Sequence, residues 1–175
     1  RDRAGYHAGR PARRTCERLT PGRAQAVLGV PVDELVDRKV PLSDVWGSRV
    51  TDEAALRAAL LDRLASVEPG RSDLVHAAAR LLRTRGVAET ARELAVGERR
   101  LRTLFGEAVG LSPKRFARVD RVRRVVARGR AGEWARLAAE LGYYDQAHLI
   151  AEFRATMGVP PGAYVAGNLP PVTSC

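Results

Sequence analysis

An internal repeat constrains the fold of this chain more than any other feature. The segment LAVGERRLRTLFGEAVGLSPKRF (94–116) is echoed by LGYYDQAHLIAEFRATMGVPPGAY (141–164). The matching pairs, which all have the same separation along the chain, are Leu101 and Leu149, Phe105 and Phe153, Gly110 and Gly158, Pro113 and Pro161, and Phe116 and Tyr164. Self-similarity at a fixed separation predicts that the same local structure is built twice.

Each copy predicts a short helix, a tight turn, a second helix and then the sequence Gly-x-x-Pro. Asp145 is a suitable N-cap for the second helix of the later copy, and Gly110 ends that of the earlier copy. Ser112 and Pro113, a cap followed by a first-turn proline, begin a long helix that runs to about Arg128. The turns are too short for antiparallel packing, so we expect the paired helices to cross steeply, as in a helix-turn-helix.

The long helix between the copies predicts how far apart they lie. About 17 residues with a rise of roughly 1.5 Å each give a length of about 25 Å. With the radii of the flanking units added, the two second helices come to lie about one DNA turn apart, roughly 34 Å. Because a major groove admits one helix, a single chain could then enter two successive grooves.

Positive charge is concentrated in the part of the chain that contains the repeat. The net charge is +10, and residues 71–175 carry 18 Lys and Arg against 10 Asp and Glu. The long helix is itself basic, with only Asp120 opposing Lys114, Arg115, Arg118, Arg121, Arg123, Arg124 and Arg128. These residues predict contacts with DNA phosphates, although a solvated helix face is the alternative for any single arginine.

The segment 1–70 is organised differently. Short segments that each begin near a proline cover residues 21–47, and leucines at helical spacing predict an amphipathic helix over 51–67. That helix is either a homodimerisation helix or the cover of another core. The segment SVEPGRS (66–72) is the predicted domain boundary. Because the only methionine is Met157, we expect the chain to be a fragment of a longer protein.

Composition argues against several other classes of protein. No apolar run is long enough to predict a membrane span. Cys16 and Cys175 lie near opposite ends, which favours free thiols in the cytoplasm over a disulfide. Three scattered histidines match no metal-ligand spacing. Paired acids sit at helix starts, where they favour the helix dipole. We therefore expect no enzyme activity, no catalytic residue, no metal and no cofactor.

The quoted segments resemble the AraC-type family of bacterial transcription regulators. The resemblance covers residues 72–166 and implies an all-α domain of seven helices, in which two helix-turn-helix units are joined by a linker helix. Residues 21–47 look like the tail of a sensor domain found in one branch of the family. The implied organisation is a sensor remnant and linker (1–70), the DNA-binding domain (71–166) and a disordered tail (167–175).

The resemblance also implies roles for individual residues. Those expected to reach base edges are Arg99, Arg102, Thr103, Gln146, Ala147, Ile150 and Ala151. Those expected to reach phosphates are Arg100, Lys114, Arg115, Arg121, Arg124 and Tyr144. Thr103 and Ala151 depart from the family, which commonly has arginine at both positions, and Gly97 is a weaker N-cap than serine. The second unit is therefore expected to depend on DNA shape and backbone contacts.

Two tyrosines and a histidine flank the second turn. We expect one of Tyr143 and Tyr144 to pack in the core while the other donates its hydroxyl to a phosphate. His148 is expected to cap or support its helix rather than bind a metal.

The expected function is sequence-specific regulation of transcription. Helices 98–109 and 145–157 would enter successive major grooves of promoter DNA, and the protein would act as an activator that recruits RNA polymerase. A small-molecule effector would bind the missing N-terminal domain. Two alternatives stay open: a DNA-modifying regulator that transfers an alkyl group to Cys16, and a basic protein that binds DNA without sequence preference.

Overall fold

The structure is a computed structural model that describes residues 19–47, 50, 52–66, 70–130 and 132–168. Within these residues it contains ten α-helices and a short 3-10 helix (Val32–Leu35) and has no strand, which confirms the all-α prediction. The helices are α1 (Ala24–Leu28), α2 (Leu42–Trp46), α3 (Glu53–Ala65), α4 (Arg71–Leu81), α5 (Val87–Glu93), α6 (Glu98–Val109), α7 (Pro113–Arg128), α8 (Trp134–Glu140), α9 (Gln146–Met157) and α10 (Pro161–Val165). No helix in this described part is long and apolar enough to cross a membrane.

Most helix ends lie where the capping residues predict. The Asp145 carboxylate accepts a hydrogen bond from the His148 amide at 2.7 Å, and the Ser112 hydroxyl accepts one from the Arg115 amide at 3.3 Å. Gly97 caps α6 without a side-chain hydrogen bond, as its lack of a side chain requires. These caps begin α9, α7 and α6 at the predicted residues.

Two helices of the first unit end in tight turns. After α4 ends at Leu81, the Arg83 amide donates to the Arg80 carbonyl and the Thr84 amide to the Leu81 carbonyl, at 3.3 and 3.1 Å. α5 ends at Glu93, before Ala95 takes a left-handed conformation with a φ of 51°.

Each helix-turn-helix unit has its own hydrophobic core. The first contains Val75, Ala78, Ala79, Leu82, Ala91, Leu101, Phe105 and Ala108. The second contains Val122, Val125, Leu137, Ala138, Leu141, Tyr143, Leu149 and Phe153. The linker helix α7 belongs to both, since Phe116 and Ala117 pack on the first core while Val122 and Val125 lie in the second.

The two units repeat each other in detail. Phe105 meets Phe116 edge to face with ring centroids 5.2 Å apart, and Phe153 meets Tyr164 in the same way at 5.7 Å. Gly110 and Gly158 end the second helices with φ values of 76° and 77°. The prediction that the same local structure is built twice is therefore confirmed.

The turns of the two units differ by one residue. Four residues (94–97) separate α5 from α6, whereas five (141–145) separate α8 from α9. The Val96 amide donates to the Ala91 carbonyl and the Tyr143 amide to the Ala138 carbonyl, both at 2.9 Å, so the turns match up to that point. The additional residue is consequently Tyr144, between the matched amide and the N-cap.

The segment before α4 packs against the first unit. α1 and the 3-10 helix both contact α6, and Val27 of α1 is fully buried. The Ser72 hydroxyl donates to the Gly22 carbonyl at 2.8 Å. A Cβ on Gly22 would lie only 2.6 Å from the Ser72 carbonyl oxygen, so this contact requires glycine. The N-terminal segment is thus part of the structure around α6.

The ends of the predicted domains are only partly described. Residues 67–69 of the predicted boundary lie outside the described residues, as do 169–175 of the predicted disordered tail. The amides of Gly167 and Asn168 still donate to the last turn of α10, at 3.1 and 2.9 Å. The domain division therefore stays a prediction.

Candidate nucleic-acid interface

The outward face of α6 is exposed and rich in arginine. Leu101, Phe105 and Ala108 fix the inner face in the first core, which turns Arg99 and Arg102 to solvent. Arg102 forms an exposed ion pair with Glu98 one turn earlier, a kind of contact that contributes little to stability. Its guanidinium is therefore able to exchange this partner for another acceptor.

The other exposed residues of α6 form no ion pairs with the described residues. Arg99 and Arg100 are exposed and form no ion pair with any described residue. The Thr103 hydroxyl donates to the Arg99 carbonyl at 3.2 Å, so it is occupied by its own helix. The face offers guanidinium groups from three arginines and a threonine methyl group.

The outward face of α9 has a different character. Gln146, Ala147 and Ala151 are exposed, and Leu149 and Phe153 fix the opposite face in the second core. Ile150 is half-buried and packs against that core, so only part of its side chain faces outward. The predicted base-reading positions of α9 thus form a mostly apolar surface with one amide group at its N-terminal end.

Two of the residues predicted to bind phosphates lie free at the start of α7. Lys114 and Arg115 are exposed, and neither has an ion-pair partner among the described residues. Because an unpaired cation does not have to give up a carboxylate first, both are suited to a phosphate contact.

Arg121 is instead engaged inside the protein. Its Nε and Nη2 atoms donate to Oε1 and Oε2 of Glu152 at 3.0 and 3.2 Å. The guanidinium carbon also lies 4.7 Å from the centroid of the Tyr143 ring. The phosphate contact predicted for Arg121 has to compete with these partners and stays an untested prediction.

Arg124 is also held by internal acceptors. Its Nε lies 3.1 Å from the Asp120 carboxylate, and its Nη2 donates to the Arg83 carbonyl at 3.1 Å. Arg83 itself lies 3.6 Å from Asp120. Like Arg121, Arg124 is therefore less available to a phosphate than its place in a basic helix predicts.

The comparison with known families agrees with this geometry. Residues 90–167, from α5 to the end of α10, match a family described as a helix-turn-helix domain, of the AraC type. This part of the chain is similar to an AraC-type helix-turn-helix domain. The similarity supports DNA binding and a role in the regulation of transcription. No curated protein and no solved structure matched the chain.

The turn of the second unit separates its two tyrosines. Tyr143 is 5% exposed and Tyr144 is 92% exposed, so one of the two packs as predicted. The contact of the Tyr144 hydroxyl with a phosphate stays a prediction. The Nδ1 atom of His148 accepts a hydrogen bond from the Tyr144 amide at 3.4 Å, and its ring meets Tyr143 edge to face. His148 thus contacts both tyrosines of the turn before α9. No group of metal-ligating side chains occurs among the described residues.

The hydroxyl of Tyr143 has an unusual environment. It is buried, and among the described residues it forms no hydrogen bond of ordinary geometry. Burial, followed by the negative charge of Glu152, raises the pKa of Tyr143 above its ordinary value. The Tyr143 hydroxyl therefore keeps its proton to a higher pH than an exposed tyrosine does.

Sequence reasoning missed Glu152 in this domain. An acidic residue on a helix expected to enter a DNA groove is repelled by phosphates unless a cation partners it. This expected repulsion was the feature of the sequence that could have drawn attention to Glu152. It does not identify Arg121 as the partner, because the two residues are 31 positions apart on different helices.

Proposed function

We propose that this chain is a sequence-specific regulator that places α6 and α9 in successive major grooves of promoter DNA. The observation that carries the proposal is the repeated mounting of the two helices. Leu101 with Phe105, and Leu149 with Phe153, bury equivalent inner faces and leave both outer faces exposed. The linker α7 has 16 residues, which corresponds to a length of about 24 Å.

The outward residues support different modes of reading in the two half-sites. Arg99 and Arg102 are suited to guanine, whose O6 and N7 accept two hydrogen bonds from one guanidinium. Gln146 is suited to adenine. The apolar contacts available to thymine methyl groups come from Thr103, Ala147, Ile150 and Ala151. The first half-site is therefore proposed to contribute most of the hydrogen-bonded specificity.

The proposed phosphate contacts come from residues around these helices. Arg100, Lys114 and Arg115 supply free cations, and Tyr144 supplies an exposed hydroxyl. These contacts would fix the register of the protein on the duplex without reading its sequence.

Two further parts of the proposal rest on the family resemblance: activation by recruitment of RNA polymerase, and control by a small-molecule effector bound to a sensor domain. A third part, dimerisation, rests on the leucine spacing of the predicted helix over 51–67. Leu61 of α3 is 68% exposed, which fits a dimer contact and a sensor contact equally. Sedimentation at tens of micromolar tests the dimer, and a monomer would contradict it.

Selection from a pool of random duplexes tests the central proposal. We expect enrichment of a site with two half-elements about one helical turn apart, at two salt concentrations. Enrichment of only one half-element would mean that α9 contacts the DNA backbone without reading bases. Steep salt dependence without enrichment would instead support a basic protein without sequence preference.

The double substitution Arg99→Ala/Arg102→Ala tests the assignment of the first recognition helix. Each bidentate contact with guanine discriminates by about 1–3 kcal/mol, so affinity for the selected site should fall by roughly 100-fold or more. Binding to random DNA should fall much less. The control is Arg57→Ala on α3, which removes an exposed arginine of another helix. Unchanged affinity of the double variant would contradict the assignment.

The alternative based on Cys16 concerns a residue outside the described part of the chain. Thiol labelling after exposure to an alkylating agent tests it directly. Protection of Cys16 from the label would support alkyl transfer, and full labelling would contradict it.

A further inference from the structure

We propose that Arg121, Glu152 and Tyr143 form a clamp that positions α9 against α7 and thereby sets the half-site separation that the protein accepts. The inference rests on the function proposed above. Arg121 is a positioning residue in this proposal, and its effect on DNA passes through the orientation of α9.

The geometry of the clamp is directional. Two hydrogen bonds of 3.0 and 3.2 Å join the fork of the Arg121 guanidinium to both oxygens of Glu152. Both side chains are largely withdrawn from water, with 26% of Arg121 and 10% of Glu152 exposed. Tyr143 covers the guanidinium at 4.7 Å. A bidentate pair of this kind fixes angle as well as distance, and its partial burial reduces screening by salt.

The first unit shows that the fold does not require this clamp. When the two units are aligned on the hydrogen bonds that their turns share, Leu74 corresponds to Arg121 and Val96 to Tyr143. Leu104 occupies the position of Glu152, since each directly precedes the matched phenylalanine of its helix. All three are partly buried, and Leu74 and Val96 pack against the first core. Apolar contacts hold α6 in place there, whereas the second unit adds a directional polar set to its apolar core.

The clamp also lies beside a second set of polar contacts on α7. Asp120 is adjacent to Arg121, and with Arg124 it holds the Arg83 carbonyl and guanidinium in the loop before α5. Neighbouring residues in the middle of α7 thus bind one unit each. This short stretch therefore adds polar contacts with both units to the apolar contacts that α7 makes along its length.

The experiment measures how affinity depends on the separation of the half-sites. The probes are duplexes carrying the two half-elements selected by the unaltered protein, with one base pair removed, unchanged or added between them. The unaltered protein should lose roughly 100-fold in affinity when the separation changes, because one half-site is then lost. In Arg121→Leu/Glu152→Leu, which copies Leu74 and Leu104 of the first unit, the loss should shrink to less than about tenfold.

Several readouts separate this proposal from its alternatives. The slope of log affinity against log salt should stay unchanged in the double variant. A fall of about 0.9 would show that Arg121 binds a phosphate, and an unchanged preference for one separation would also overturn the clamp. If the unaltered protein selects no paired site, the proposed function itself fails.

Two further variants keep the test sharp if the leucine variant does not fold. Arg121→Lys keeps the positive charge but loses the fork, so the preference for one separation should weaken while the salt slope is retained. The control variant Glu53→Gln/Arg57→Gln removes an exposed ion pair from α3 and, like the leucine variant, leaves the net charge unchanged. It should change neither the preference for one separation nor the salt slope. A retained preference in Arg121→Lys would overturn the proposal.

Discussion

Ala95 in the turn between α5 and α6 has a left-handed backbone, with a φ of 51°. The matching residue of the second unit is Gly142, which has a φ of 75°. A left-handed alanine costs roughly 1–2 kcal/mol, whereas glycine adopts this conformation without a steric penalty. Each unit requires the same turn, but only the second has the residue that favours it.

Ala95→Gly should therefore stabilise the protein. The relief of strain exceeds the added freedom of the unfolded chain, so we expect a gain of about 0.5–1 kcal/mol in the free energy of unfolding. Denaturant unfolding measures it. Ala58→Gly, at an exposed position inside α3, is the matched control and should lose about 1 kcal/mol. Destabilisation by both substitutions would contradict a strained Ala95.

At the scale of elements, the end of α6 is where the N-terminal segment meets the first unit. Gly110 has a φ of 76°, and a Cβ there would lie 2.8 Å from Val36 and 3.3 Å from the Val32 carbonyl oxygen. Gly142 has nearly the same φ, but a Cβ there would meet nothing within 4 Å. A substitution at Gly142 would therefore introduce backbone strain alone, whereas one at Gly110 would introduce both strain and a steric clash.

Gly110→Ala should destabilise the protein more than Gly142→Ala. We expect a loss of about 1–2 kcal/mol from strain at Gly142, and a further loss of about 1–3 kcal/mol at Gly110 from the clash with Val36 and with Val32 of the 3-10 helix. Thermal or denaturant unfolding of both variants gives the comparison. Equal losses would mean that the N-terminal segment yields without cost.

The elements themselves were largely predictable, because their ends depend on local chemistry. Ser112, Pro113 and Asp145 act close to their own positions in the chain, so their spacing alone located α7 and α9. The pairing of Arg121 with Glu152 was not predictable, since it depends on how two helices cross. The docking of Val27 was missed for the same reason: no local pattern shows which surface covers it.

At the scale of the whole molecule, the segment before α4 packs against the first unit. Val27 is fully buried, and α1 and the 3-10 helix both contact α6. The two units should consequently differ in how they respond to changes in the N-terminal segment.

Val27→Ala should weaken the first unit selectively. Loss of two buried methyl groups and the resulting cavity should cost about 2 kcal/mol. Amide hydrogen exchange should speed up in α6 while α9 changes little. Val126→Ala, at a 37% exposed position on α7, is the control and should change stability by less than about 0.5 kcal/mol. Equal acceleration in α6 and α9 would show that the two units open together.

The two helix-turn-helix units are not equivalent, because the second turn has an additional residue and the outward faces of α6 and α9 differ. The protein is therefore expected to bind a duplex in one orientation. A symmetric dimer binds a palindromic site equally well in either orientation, but a chain whose two recognition helices differ does not. On the proposed function, turning a binding site end for end in a promoter would also turn the bound protein around. Its N-terminal segment, packed beside α6, would then face the opposite side of the promoter.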